Sequence, residues 1–223
     1  MRQVSRQWTY PPFLLVVAVA VLPVVLAPRL LDIRSGMVYA GGIVWAISVA
    51  FKGYFYQPFL CSFPQKSLNV WSVSVLSGVY SAAMELGPAA LYFAVKDLSS
   101  AEALGFGLGA GSFEAGFLAL VMLKSLREPH AEPAGWVKYA TPIERSIATL
   151  GHTGMRGLVY LGVMHRGVVW PLAAMCIFGF FDGVANYGKR VGWNWSDSRV
   201  LGRYYSALFL LATVAMGLFL LHF

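Results

Sequence analysis

Gly105-Phe-Gly-Leu-Gly-Ala-Gly-Ser-Phe-Glu-Ala-Gly116 is the stretch that decides the fold. Read as a phosphate-binding loop, it would follow a strand and run into Lys-Ser or Lys-Thr, and it does neither. Read as a helix, it places Gly107, Gly111 and Glu114 at i, i+4 and i+7. Two hydrogen side chains and one carboxyl then share a face. Such a face lets a second backbone approach closely, as membrane helices do. The apolar run around it, 101–123, is long enough to cross a bilayer, which takes about 20 residues.

Outward from that run the same pattern repeats. The chain has 223 residues, of which 58% are hydrophobic and 12% charged, a balance outside the soluble class. Six further apolar runs, near 11–31, 37–60, 70–95, 143–164, 167–187 and 202–222, bring the expected spans to seven in one domain, 1–223. The first run follows Arg2 and Arg6 as a signal peptide would, but lacks a small-x-small cleavage site and reads as a retained anchor. A polar connector at about 125–141, with Pro129, Pro133 and Pro142 around it, divides four spans from three.

The net charge of +7 lies in the short segments between spans, so it speaks for topology and against nucleic acid. With the N-terminus inside, Arg2, Arg6, Lys52, Lys66, Lys124, Arg127, Lys138, Lys189, Arg190, Arg199 and Arg203 are inner, and Arg29, Arg34, Lys96 and Arg166 are outer. That bias gives N-in and, with seven spans, C-out. The expected setting is a bacterial-type inner membrane, crossed several times. Aromatic residues such as Trp71, Trp136, Trp170 and Tyr204 gather near the span ends as interfacial belts. The two cysteines, Cys61 and Cys176, give no disulfide framework.

Glu85, Glu114, His152, Arg156 and Asp182 fall inside apolar runs. A charge at bilayer depth costs at least ~2.5–3.5 kcal/mol, so these side chains must face one another or a wet cavity. Arg145, His152 and Arg156, spaced by seven and four, lie on one face of the fifth span. Glu144 falls in that span's first turn after Pro142, where a carboxylate caps or pairs. Asp182 and Asn186 are i, i+4 neighbours beside Gly179 and Gly183. Glu85 precedes Gly87-Pro88, where proline removes a backbone bond. Carboxyls and an imidazole in a dry pocket suit acid–base chemistry. No cofactor is expected. A divalent metal is disfavoured by the single imidazole at the centre of this group.

The 103–118 run is similar to the glycine-rich helix of the YhfC-type proteins, which belong to the PrsW and CPBP superfamily of glutamic intramembrane proteases. Glu144-Arg-Ser-Ile-Ala-Thr-Leu-Gly-His152, followed by Leu158-Val-Tyr160, resembles that group's Glu-Arg…His helix. Phe51-Lys52…Pro58 and Phe178-Gly-Phe-Phe-Asp182 are fainter likenesses. The resemblance implies an all-α polytopic bundle that hydrolyses membrane-embedded peptide bonds, with Glu85, Glu114, His152 and Asp182 catalytic and Glu144, Arg145, Arg156 and Asn186 supporting. Under it Glu114 or Glu85 activates water, His152 donates to the oxyanion or relays a proton, and Asp182 and Asn186 orient His152. The site is expected between spans three to six, with water admitted along the glycine face of span four.

Several positions depart from the family pattern. Met84 stands where a second Glu is expected, Gly87-Pro88-Ala89 supplies no Arg, and Ala110 and Phe178 replace His. The alternatives are therefore a noncatalytic membrane subunit or pseudoprotease scaffold, and a small transporter or proton pathway. Besides the lipid bilayer, the expected partner is a transmembrane substrate or a partner subunit.

Overall fold

The computed structural model describes residues 10–61, 69–125 and 135–223. The inner cations Arg2, Arg6, Lys66 and Arg127 and most of the polar connector lie outside the described residues. Among those described, the fold is seven α-helices and no strand: α1 (Tyr10–Leu30), α2 (Ser35–Cys61), α3 (Val70–Val95), α4 (Ser100–Ser125), α5 (Ala140–Met164), α6 (Val169–Arg190) and α7 (Ser198–Leu220). Each expected run coincides with one helix. Five of them, α1, α2, α4, α6 and α7, are long and apolar enough to cross a membrane. That supports a membrane-embedded helix bundle.

α3 and α5 fall outside that group of five, and both carry ionisable residues of the site. α5 is the central helix, packed on α1, α3, α4, α6 and α7. From Gly151 to Gly162 it is continuously buried. A helix sheathed by protein needs no apolar surface for lipid, which is why it tolerates Arg145, His152 and Arg156.

Local sequence sets the ends. Asn69 caps α3 by accepting from the Ser72 N–H at 2.8 Å. At the start of α4 the Ser99 N–H donates to Glu102 at 2.9 Å and the Glu102 N–H donates back to the Ser99 hydroxyl at 3.3 Å, a capping box. Arg34 pairs with the same carboxylate. α5 begins earlier than its sequence suggests, at Ala140, behind a 3-10 turn over Gly135–Tyr139. Pro142 is thus its third residue, where a missing N–H costs no helical bond, and Glu144 stands beyond the first turn rather than in it.

Glycines bring the backbones together on both sides of α4. A Cβ added at Gly109 would lie 1.8 Å from the Val38 carbonyl oxygen of α2, and one at Gly107 or Gly111 would lie 2.6 or 2.5 Å from Thr153 or Thr149 Cα of α5. The glycine face of α4 is therefore closed against α5. It offers no channel for water, contrary to expectation. On the far side of the bundle Gly78 of α3 meets the Gly179 carbonyl of α6 in the same way. Away from the polar site, Phe93, Phe106 and Tyr160 form an aromatic core with Phe93–Phe106 centroids 4.9 Å apart. The Tyr160 hydroxyl donates to the Leu98 carbonyl at 2.8 Å.

Candidate functional site

The chemistry starts from three inward-facing cations, two of them buried. Arg156 is 0% exposed and Arg145 7%, and the third, Lys52 of α2, reaches inward from a half-buried position. A cation removed from water needs countercharges, and all three find carboxylates. The Lys52 ammonium donates to Glu85 Oε1 at 2.5 Å, to the Ser81 hydroxyl at 2.8 Å and to Asp182 Oδ2 at 3.3 Å. Ser81 in turn donates to Asp182. Arg145 lies 2.9 Å from both Glu114 Oε1 and Glu144 Oε1. Arg156 NH2 stands 3.9 Å from Glu85 Oε2.

His152 joins the two carboxylate groups. Its Nε2 is 2.6 Å from Glu114 Oε2 and its Nδ1 is 2.5 Å from Arg156 NH1. A guanidinium has donors only, so Nδ1 must accept. The proton then sits on Nε2 and is donated to Glu114, and the ring is a neutral imidazole of fixed tautomer. The Phe178 ring meets His152 edge-on, with centroids 5.8 Å apart, which holds the imidazole plane. This apolar contact occupies the place where the family resemblance calls for a second imidazole.

Glu85, Glu114, Glu144, Arg145, His152 and Asp182 all line one cavity of about 90 Å³, room for a few waters. Side chains from α2 to α7 enclose it, not only α3 to α6. Arg156 lies behind that lining, and Asn186 stands apart from it. Asn186 donates to Ser77 at 3.3 Å and accepts from Arg190 at 2.6 Å, so it does not orient His152. Nor does Asp182, which is engaged by Lys52 and Ser81. The two carboxylates therefore differ in kind. Glu114 holds the His152 N–H and the Arg145 charge, whereas Glu85 Oε2 is buried without a hydrogen-bond partner. Arg145 Nε and NH1 and Arg156 Nε and NH2 are likewise donors with no aligned acceptor.

Lys52 is the residue that the sequence reading misplaced, as a loop cation setting topology. Its signal was present: Lys52 lies within a long apolar helix, nine residues before that helix ends at Cys61. Ser81 was passed over as well, although Ser74, Ser77, Ser81 and Glu85 form a buried polar stripe on α3 at spacings of three and four. Among the described residues, no group of three or more His, Cys, Asp or Glu side chains is placed to hold a metal ion. Comparison with family models, curated proteins and solved structures gives no match to this chain.

Proposed function

We propose that this chain is a membrane-embedded hydrolase of the glutamic type, akin to the YhfC and PrsW-like proteases, cleaving a peptide bond of a membrane protein. It would span a bacterial-type inner membrane seven times, N-in and C-out. The observation that carries the reading is Glu85 Oε2, a buried acceptor without a hydrogen-bonded donor, on a carboxylate that Lys52 and Arg156 flank. In a dry site such an oxygen is the natural place for a water proton.

In the proposed reaction Glu85 Oε2 takes a proton as the water oxygen bonds to the peptide carbonyl carbon. The charge that develops on the carbonyl oxygen is met by the unsatisfied Arg145 Nε–H and by the charge of Lys52, whose three N–H donors stay on Glu85, Ser81 and Asp182. Collapse breaks the C–N bond while the proton passes from Glu85 to the leaving nitrogen. Glu114 keeps its charge throughout and positions His152 and Arg145.

The test is hydrolysis of a membrane-peptide panel by purified full-length protein. Glu85→Gln, measured on protein shown to be folded by its melting temperature because the change also takes a countercharge from Lys52, should lose about 10²-fold or more in rate, the usual span of a general base. Unchanged hydrolysis in that variant would exclude Glu85. A specific observation favours a second reading, a noncatalytic scaffold: the cavity of about 90 Å³ is too small for a peptide backbone in this closed arrangement. A parent protein inactive on every membrane peptide would select it.

A further inference from the structure

A second cavity, of about 350 Å³, adjoins the first and shares Glu144 and Tyr204 with it. Its walls are aromatic. Trp195 meets Tyr204 edge-on with centroids 5.4 Å apart, and Tyr205 follows at 5.7 Å from Tyr204. Trp195 is seated against the backbone of α6, where a Cβ at Gly188 would lie 2.8 Å from its ring. The carboxylate of Glu144 stands among these rings, with Arg145 on its Oε1. Three ring systems around one carboxylate are the chemistry that receives an organic cation.

The charge balance of the buried network gives an independent reason. Lys52, Arg145 and Arg156 face Glu85, Glu114, Glu144 and Asp182, and the His152 tautomer leaves that ring neutral. The network carries one more carboxylate than cation, and Glu144, whose side chain is 34% exposed, is the member that opens on the vestibule. An apolar side chain could fill the volume but would bury Glu144 against carbon.

We infer that this vestibule binds a Lys or Arg side chain of the substrate, next to the segment that enters the polar cavity. The inference rests on the proposed hydrolase and its orientation. The vestibule lies at the end of the bundle that carries the 3-10 turn and the α6–α7 connection, the inner end in that orientation. Membrane segments carry their Lys and Arg on that side. A single-span substrate therefore presents the matching charge at the matching depth.

The experiment measures binding apart from cleavage, with the parent full chain in nanodiscs and fluorescent single-span peptides whose integrity is checked by mass at the end of each titration. The two peptides carry either Lys or its uncharged analogue norleucine at the inner flank. The Lys peptide should bind about tenfold tighter, the scale of a desolvated cation–aromatic contact. Tyr204→Leu, Trp195→Leu and Glu144→Gln should each remove most of that preference, with folding checked by melting temperature. Tyr204→Leu and Trp195→Leu leave the Glu144–Arg145 pair intact, so they remain informative if Glu144→Gln fails to fold. Equal binding of the two peptides, or a preference that survives both aromatic variants, overturns the inference. So does displacement of the Lys peptide by phosphocholine as effectively as by N-acetyl-lysine methylamide, which would assign the vestibule to a lipid headgroup. A retained Lys preference in a parent that hydrolyses nothing would reject the hydrolase and keep the vestibule.

Discussion

Arg156 can only donate, and that dictates which proton His152 carries. Nitrogen NMR of histidine-labelled protein, assigned with His152→Gln, should show Nδ1 unprotonated and Nε2 protonated at neutral pH. Arg156→Met removes the donor while keeping an unbranched side chain, and the two tautomers should then mix. Two protonated nitrogens in the parent would show an imidazolium and undo the charge balance drawn above. Glu114→Gln is expected to act on stability first. It takes the countercharge from Arg145 and turns an acceptor of the His152 N–H into an amide, and breaking a buried pair costs about 3–5 kcal/mol. Denaturant unfolding measures it, and a Glu114→Gln protein as stable as the parent would deny Glu114 its positioning role. At this scale the sequence is informative where a charge interrupts an apolar run, as at Glu85, Glu114, His152 and Asp182. It is silent on partners. Nothing in the spacing of Asp182 and Asn186 says that one meets Lys52 and the other Ser77, because those contacts join helices far apart in the chain. Lys52 was misread because lysines near span ends usually reach outward to the interface, whereas this one turns inward.

Helices pair here through glycines, and the pairing fixes the site. Gly107 and Gly111 press on Thr153 and Thr149 of α5, the helix that carries His152 and Arg145, while Glu114 extends from the same face of α4. Ala at either position would drive Cβ into α5 backbone, so the two helices must separate. Gly107→Ala and Gly111→Ala should each cost about 1–3 kcal/mol of stability, as overpacking does. Gly116 is the control. Its Cβ would rest 3.8 Å from Ala20 Cβ, an ordinary contact, and Ala there should leave the melting temperature unchanged or raise it. Equal effects at all three positions would show that the α4–α5 contact does not govern stability. The seven helices were legible from length and hydropathy. Which glycine face meets which helix was not, because α4 carries one set of glycines towards α2 and another towards α5, and a period alone does not name the neighbour.

At the scale of the molecule, the distribution of cations sets the proposed orientation. Lys52 leaves the inner count because its charge is spent on Glu85 and Asp182 inside the bundle, yet inner segments still hold more Lys and Arg than outer ones. The rule depends on charges in short loops near span ends, and Lys124, Lys189, Arg190, Arg199 and Arg203 remain in such positions among the described residues. Arg145 and Arg156 carry no weight in it, since both are buried within α5. Reporter fusions after residues 66, 130 and 195 should therefore read cytoplasmic, and fusions after 33, 99 and 223 should read outside. The pair at 130 and 223 bears hardest on the proposal, since α5 is amphipathic and its insertion depends on sheathing by its neighbours. If α5 failed to cross, the fusion at 223 would move to the cytoplasm with that at 130 unchanged, leaving an even number of crossings. The Glu114–His152 contact keeps α4 and α5 side by side, so that outcome would remove the proposed seven-span topology and the shared polar site together.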